Sequence, residues 1–350
     1  MFSTRTRTVL PLFLLVFFTL SCHSSGTDTR YEVIYSMDSR LTDPQKPDAA
    51  ESYTIGMVPK ATENSYFNQV EDGAREAAGD LGIEVIFEGP PVADTEQQIR
   101  AIRNLISRNV DMLAVSANDS SLLQPVLLEA ASRNIRVITW DSDTVPKGRE
   151  LFIDMVEPET LGRHLMDALA LQMGEEGQFA ILSGTAGASN MNEWVKWMII
   201  QKEEYYPRMQ LMETAATDDD PQKAYSEARR LIVKYPRLAG LIGCSSVATP
   251  AAAQAVIDAG KSGRVHTVGL STPNLMREYL HAGSVQNVTL WSPKKLGYLT
   301  IVLAKNLLDG VLPVNGQNIR NVGEIRVEGD TVIMGEPLDF TKTNVDEYAF

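Results

Sequence analysis

Short apolar runs alternate with amphipathic stretches along the chain from residue 53 onward. Four runs have the length and β-branched content of buried strands, at residues 53–58, 84–87, 112–115 and 135–140. The stretches between them have apolar residues at helical spacing and predict helices after Asn64, from Asp94 or Thr95, and over 120–132. Strands that alternate with such helices form βαβ units, so the pattern predicts a parallel sheet covered by helices.

The same alternation begins again after a short strand near residue 151. It predicts strands at 179–182, 209–213, 238–242, 265–269 and 285–291, and helices over 158–173, 190–204, 221–234, 249–259, 274–281 and 295–308. The number of predicted βαβ units is too large for a single sheet. We therefore predict an α/β fold of two similar doubly wound parallel-sheet lobes with a cleft between them. Residues 322–334, around Glu328-Gly329-Asp330, have the pattern of a terminal hairpin.

The composition narrows the classes of function. The 350 residues carry a net charge of −13, which disfavours nucleic-acid binding because phosphates require clustered Lys and Arg. The 2 Cys predict no disulfide framework, and the 4 His are scattered without the spacing of a metal site. We therefore expect neither a metal nor another cofactor.

The first 52 residues have the pattern of an export segment followed by a tether. Arg5 and Arg7 precede an apolar run, 9–20, that is too short to span a bilayer and stops at Ser21-Cys22. This resembles a bacterial lipoprotein signal over 1–22 with Cys22 as the lipidated residue, and plain secretion with cleavage nearby is the alternative. Residues 23–52 are rich in Ser, Thr, Asp and Pro and predict a flexible tether. We expect an exported, periplasmic protein, anchored to a membrane if Cys22 is acylated.

Residues 138–143 (Ile-Thr-Trp-Asp-Ser-Asp) carry the densest candidate chemistry. A buried strand ends there in an aromatic ring, two carboxylates and a hydroxyl, and ligands of open α/β sheets bind beyond the carboxyl ends of strands. Carboxylates accept hydroxyl protons and an aromatic face covers C–H surface, which suits a polyhydroxylated ligand. A catalytic site and a capped turn are the alternatives at this point.

Seven segments in order resemble periplasmic sugar-binding proteins of ABC importers, in the ribose-binding type I superfamily. They lie at residues 55–60, 114–118, 138–143, 192–196, 250–254, 268–274 and 290–291. The resemblance covers nearly all of residues 53–350, and the subgroup it resembles contains rhamnose-binding proteins and the autoinducer-2 receptor. It implies a monomeric, non-enzymatic binding protein that captures a monosaccharide by hinge closure and delivers it to a membrane permease. A sensory role uses the same chemistry and stays open.

The resemblance also implies a lobe division and a set of ligand contacts. The chain would cross between lobes three times, giving a first lobe of 53–156 plus 292–320 and a second of 157–291 plus 321–350. The terminal hairpin would then lie on the second lobe and helix 295–308 on the first. The implied contacts are Lys60, Tyr66, Phe67, Asp141 and Asp143 on the first lobe, Asn190, Asn192, Ser245, Ser246 and Ser271 on the second, and Trp291 at a crossover.

Several of these residues have ordinary structural alternatives. Phe67 has the spacing of a core residue, the two asparagines could cap a helix, and Ser245 and Ser246 could be turn residues. Asp143 could support Asp141 or a helix end. We assign Trp194 to the core and 218–220 (Asp-Asp-Asp) to a charge cluster at a helix N-terminus.

The ligand and the class of protein can be narrowed further. Autoinducer-2 receptors have an acidic residue and Gln where this chain has Asn190-Met191, and Pro and Ala where it has Cys244 and Ser246. Rhamnose-binding proteins of the subgroup that this chain resembles have Asn where it has Asn190 and Asn192, and this resemblance favours a deoxyhexose such as rhamnose. A glycosidase would need a carboxylate pair, which Asp141 and Asp143 could supply, but a Gly-x-Ser-x-Gly nucleophile motif is absent. A repressor with this core is disfavoured by the export segment.

Overall fold

The computed structural model describes residues 53–350. The predicted export segment, the tether and Cys22 lie outside the described residues. Among residues 53–350, no helix combines the length and the apolar character needed to cross a membrane.

The described chain alternates strands and helices for most of its length. The strands are β1 (Thr54–Val58), β2 (Glu84–Phe87), β3 (Met112–Val115), β4 (Arg136–Trp140), β5 (Leu151–Val156), β6 (Gly177–Ser183), β7 (Met209–Ala216), β8 (Leu238–Gly243), β9 (His266–Gly269), β10 (Val288–Leu290), β11 (Asn318–Ile319), β12 (Gly323–Glu324), β13 (Arg326–Glu328), β14 (Thr331–Gly335) and β15 (Leu338–Phe340). The helices are α1 (Ser65–Leu81), α2 (Thr95–Ser107), α3 (Gln124–Ser132), α4 (Pro158–Met173), α5 (Ser189–Tyr205), α6 (Pro221–Lys234), α7 (Ala248–Asp258), α8 (Pro273–His281) and α9 (Pro293–Leu308).

The first lobe is built on a seven-stranded sheet in the order β13-β14-β5-β4-β3-β1-β2. Its strands run parallel except for the antiparallel pair β13–β14. Helices α1 and α9 cover one face, and α2 and α3 cover the other. Because both faces are covered, β3 is buried throughout and reads as a continuous apolar run.

The second lobe repeats this plan on a smaller sheet. Four parallel strands lie in the order β7-β6-β8-β9, with α4 and α5 on one face and α6 and α7 on the other. A bridge between Leu270 and Thr289 extends the sheet to β10, which pairs antiparallel with β15. The prediction of two doubly wound parallel-sheet lobes is confirmed.

The terminal hairpin is present, but its predicted placement on the second lobe is wrong. β14 pairs in parallel with β5, joining Thr331 to Phe152 and Val332 to Ile153, so the hairpin belongs to the first lobe. The apolar side chains of Val332 and Met334 cover the first-lobe core, and β13 pairs with β14 to form the outer edge of the sheet. The third crossing between lobes therefore follows Gly335 rather than residue 320.

Helix α9, expected on the first lobe, packs closely against α1. A Cβ atom built on Gly297 would lie 1.9 Å from the Val70 carbonyl oxygen, and one on Gly73 would lie 1.9 Å from the Lys294 carbonyl oxygen. Glycine at both positions lets the helix backbones touch. This contact fixes where the chain re-enters the first lobe beside the cleft.

Candidate functional site

The turn after β4 presents Asp141 at the carboxyl end of the sheet. Asp141 has φ of 61°, and the Ser142 amide donates to the Trp140 carbonyl at 2.6 Å, which closes a tight three-residue turn. Asp tolerates this left-handed conformation better than most residues. Such a conformation in a short turn is typical of functional sites, because the surrounding structure must hold it.

The Asp141 carboxylate is held by three neighbours. Ser116 Oγ donates to Oδ2 at 2.6 Å, Tyr66 Oη donates to Oδ1 at 3.2 Å, and Lys60 Nζ lies 3.5 Å from Oδ2. Asp141 and Lys60 are only 3% and 1% exposed. Burial and the Asp141 charge raise the pKa of Tyr66 well above its usual range, so the phenol stays protonated and donates. The result is a rigid, oriented carboxylate in a dry setting.

Aromatic rings line the same region. Trp291 Nε1 donates to Tyr66 Oη at 2.9 Å, and the two ring centroids are 6.1 Å apart. Phe67 packs edge-on against both Tyr66 and Trp140, at 5.0 and 5.9 Å. Trp194 of α5 lies 5.8 Å from Trp291. These rings place flat apolar surface from both lobes beside the carboxylate.

Direct hydrogen bonds connect the lobes across the cleft. Lys60 Nζ donates to Asn190 Oδ1 at 3.3 Å, and Ser246 Oγ donates to Asn64 Oδ1 at 3.3 Å. Thr185 Oγ1 also reaches across to the Asn118 carbonyl at 2.9 Å. The protein is therefore in a closed arrangement in which polar groups of the two lobes already meet.

A narrow cavity lies between the lobes at this point. The volume of this cavity is about 30 Å³. Its walls combine charged, amide, hydroxyl, sulfur and aromatic groups: Lys60, Asn64, Tyr66, Phe67, Asp141, Asn190, Met191, Trp194, Asp219, Cys244, Ser245, Ser246, Leu270, Leu290 and Trp291. Burial raises the pKa of the Cys244 thiol to about 12, so this residue contributes a neutral wall.

Eight of the eleven predicted contacts line this cavity: Lys60, Tyr66, Phe67, Asp141, Asn190, Ser245, Ser246 and Trp291. The structure thus brings together residues that are separated by up to 231 positions in the chain, at one end of two different sheets. Ser245 Oγ additionally accepts from the Ala248 amide at 3.2 Å, so its turn role and its cavity position coexist.

The other three predicted contacts lie outside the cavity lining. Asp143 is held by Arg149, whose Nε and Nη2 lie 3.1 and 2.8 Å from its carboxylate oxygens. Asn192 is exposed, and its Nδ2 donates to the Ala186 carbonyl at 2.9 Å. Ser271 Oγ donates to the Ser246 carbonyl at 2.6 Å. Each has a structural partner: Asp143 balances a buried guanidinium, and the other two fix loops that carry cavity residues.

Four cavity-side residues were missed or misassigned from the sequence. Asn64 does cap α1, accepting from the Tyr66 amide at 2.9 Å, but it also lines the cavity. Ser116 ends the β3 run and orients Asp141. Trp194 is buried as expected, yet it faces the cavity. The signal that could have found Ser116 is its position directly after β3, and Asn64 lies in the loop between β1 and α1 at the same end of the sheet.

Asp219 is the fourth, and it does not act as the helix charge cluster we predicted. Asp220 caps α6 by accepting from the Lys223 amide at 2.6 Å, whereas Asp219 lines the cavity. Burial raises the pKa of Asp219, and the nearby Lys60 charge and a Ser245 hydrogen bond oppose that rise. Among residues 53–350, no group of three or more His, Cys, Asp or Glu side chains could hold a metal ion.

Comparisons with known proteins agree with this geometry. A family described as "Periplasmic binding protein domain" matches residues 55–311. The D-ribose/D-allose-binding protein of Pseudomonas aeruginosa is 24% identical over 282 residues, covering 77% of this chain and 85% of that protein. A solute-binding protein of an ABC transporter from Clostridium phytofermentas, solved with bound L-rhamnose, is 27% identical with a TM-score of 0.80, covering 85% of this chain and 98% of that one.

A further solved relative adds support for the fold alone. LsrB from Clostridium saccharobutylicum, in complex with AI-2, is 23% identical with a TM-score of 0.80, covering 85% of this chain and all of that one. The matched segment 55–311 contains most of both lobes and the cavity between them. The chain therefore belongs to the periplasmic binding protein domain family.

Proposed function

We propose that this protein captures a monosaccharide between its lobes, favouring a deoxyhexose such as L-rhamnose, for delivery to an ABC importer. The observation that carries the proposal is the buried Asp141 carboxylate, oriented by Tyr66 and Ser116 beside a wall of aromatic rings. Oriented acceptors next to flat apolar surface match a sugar ring, which offers hydroxyl donors at its edge and C–H groups on its faces.

The walls of the cavity suit a sugar that lacks one hydroxyl. Lys60, Asp141 and Asn190 offer polar contacts, whereas Leu270, Leu290 and the ring of Trp291 offer apolar ones. A methyl group placed against the apolar wall leaves no buried hydroxyl without a partner. The L-rhamnose bound by the Clostridium phytofermentas relative supports this choice.

Capture proceeds by hinge closure in this proposal. The sugar binds first to the lobe that carries Asp141 and then meets the second lobe as the three crossings bend. In the closed arrangement Lys60 already contacts Asn190 at 3.3 Å. A bound ring takes over these contacts, and its burial strengthens its hydrogen bonds to Asp141. The closed form, acting as a monomer, then docks on a membrane permease.

Two alternatives fit less well. Autoinducer-2 capture would have to be made by Asn190-Met191 and Cys244-Ser245-Ser246 in place of the acidic, Gln, Pro and Ala residues of that pattern. Glycoside hydrolysis by the predicted pair of Asp141 and Asp143 fits less well, because Asp143 is bound to Arg149 outside the cavity and the Asp141 carboxylate accepts from Ser116 and Tyr66.

Isothermal titration calorimetry of the purified protein tests the proposal. We expect L-rhamnose to bind with micromolar affinity or better, corresponding to about −8.2 kcal/mol. Asp141→Asn, which keeps a residue that tolerates φ of 61°, should weaken binding at least about tenfold because a charged hydrogen bond is lost. If L-rhamnose, D-ribose, D-allose and D-arabinose all give no heat, the protein is not a monosaccharide receptor of this kind.

A further inference from the structure

Two buried polar atoms in the cavity have no hydrogen-bond partner among the described residues. They are Trp194 Nε1, a donor, and Asp219 Oδ1, an acceptor. Both residues line the cavity, both belong to the second lobe, and Trp194 is only 2% exposed. Buried polar groups are almost always paired, so each of these needs a physical reason.

The first-lobe side chains that line the cavity show the opposite condition. Asp141 accepts from Ser116 and Tyr66, and Tyr66 in turn accepts from Trp291. Asn64 Oδ1 accepts from the Tyr66 amide and from Ser246. The polar capacity that is still unused at the cavity therefore lies on the second lobe, on Trp194 and Asp219.

Both groups are held firmly in place. The loop that carries Asp219 is fixed because the Asp218 amide donates to the Gly184 carbonyl at 3.3 Å. A Cβ atom on Gly184 would lie 3.0 Å from Asp219 Oδ1 and 2.4 Å from Met191 Sδ, so glycine is required for this close approach. Trp194 is fixed by packing against Trp291 at 5.8 Å. Fixed, unsatisfied groups are typical of a preorganised binding site.

We propose that Asp219 and Trp194 form a hydroxyl-recognition pair that determines specificity from the second lobe. Asp219 Oδ1 accepts a hydrogen bond from a ligand hydroxyl, and Trp194 Nε1 donates to a ligand oxygen. The inference rests on the proposed function and deepens it. The deoxy position of the sugar must then face the apolar wall and not this pair, because a methyl group here would leave two buried polar atoms unpaired.

The placement of the pair also predicts its kinetic role. The second lobe reaches the sugar only after closure, so these contacts act on the closed complex rather than on the first encounter. Weakening them should raise the dissociation rate and leave the association rate nearly unchanged.

The test measures L-rhamnose binding by calorimetry and stopped-flow fluorescence in Asp219→Asn and Trp194→Phe. Asn tolerates the φ of 54° at position 219, and Phe retains aromatic packing. We expect binding to be about tenfold weaker in Asp219→Asn and about threefold to tenfold weaker in Trp194→Phe. In both variants a faster dissociation rate should account for the weaker binding. The matched controls are Asp218→Asn, whose partner is the exposed Lys223, and Trp197→Phe, which lies beside Arg163, and both should bind within about twofold of wild type.

Unfolding of the ligand-free variants separates recognition from a structural role. Asp219→Asn should be as stable as wild type or more stable, because burial disfavours the Asp219 charge more than Lys60 and Ser245 favour it. A structural role predicts lost stability together with weaker binding. Deoxy analogues of L-rhamnose give a second measurement on the wild-type protein. One analogue should bind about tenfold more weakly than L-rhamnose, and Asp219→Asn should abolish that difference.

The outcomes distinguish the two proposals. Wild-type binding that is unchanged in both variants, or equal affinity for every deoxy analogue, overturns the recognition pair and leaves the sugar receptor standing. No binding of any sugar by the wild-type protein overturns the receptor and the pair with it.

Discussion

The buried pair of Lys60 and Asp141 leads to a prediction about stability that is independent of any ligand. The pair consists of an ammonium and a carboxylate 3.5 Å apart, with side chains 2% and 5% exposed. Asp141→Asn removes the carboxylate charge and leaves Lys60 charged in a nearly dry site. Lys60→Met removes the ammonium and leaves a carboxylate that still accepts from Ser116 and Tyr66.

The structure sets the relative size of the two effects. Breaking a buried ion pair by removing one partner costs about 3–5 kcal/mol. Asp219 lies close enough to interact with the Lys60 charge, and Asn190 Oδ1 accepts from Nζ at 3.3 Å, so we expect about 3 kcal/mol for Asp141→Asn. Lys60→Met should cost about 1–2 kcal/mol, because Asp141 keeps two hydrogen bonds. The double variant should cost less than the sum of the two, by about 1–2 kcal/mol.

Urea unfolding of the ligand-free protein, followed by far-UV circular dichroism, measures these differences. Asp218→Asn is the matched control. It makes the same chemical change at a residue with φ of 53°, but its partner Lys223 is 43% exposed. This control should change the free energy of unfolding by less than about 0.5 kcal/mol. If Asp141→Asn costs no more than the control, or the double variant is strictly additive, Lys60 and Asp141 are not coupled in the folded state.

Two further predictions concern parts of the fold remote from the cavity. The hydrogen bond that His164 Nε2 donates to the Asp339 carboxylate raises the pKa of His164, so this pair stabilises the fold fully below about pH 6.5 and loses its effect as pH rises through the folded-state pKa. The stability difference between wild type and His164→Gln should thus be larger at about pH 5.5 than at about pH 8.5 in urea unfolding, and a difference that does not vary with pH would contradict this prediction. Gly297→Ala should lower the free energy of unfolding by about 3 kcal/mol, since its Cβ would meet the Val70 carbonyl at 1.9 Å. Gly79→Ala in α1, where no atom lies within 4 Å, should be neutral or stabilising, and equal effects of the two alanines would refute the close helix contact.

The lobes could be predicted from sequence because local pattern and global fold agree. A central parallel strand such as β3 is buried on both faces, so it appears as an apolar run, and a helix such as α2 has one apolar face. The hairpin could be recognised for the same reason, but not its lobe. Val332 and Met334 would suit the edge of either sheet, and only the three-dimensional path of the chain pairs β14 with β5. The pairing partner of a strand is not encoded in its own pattern.

The difference between local pattern and three-dimensional arrangement also explains why the sequence predicted Asp141 as a ligand contact and did not predict Asp219. Asp141 directly follows a buried strand, the place where ligands of open α/β sheets bind. Asp219 stands between Asp218 and Asp220, and the latter supplies the N-cap that the pattern predicts. Because capping by Asp220 accounts for the pattern of residues 218–220, nothing in the sequence indicated that Asp219 lines the cavity. Asp219 instead lines the cavity, where it supplies the second-lobe acceptor that remains unpaired.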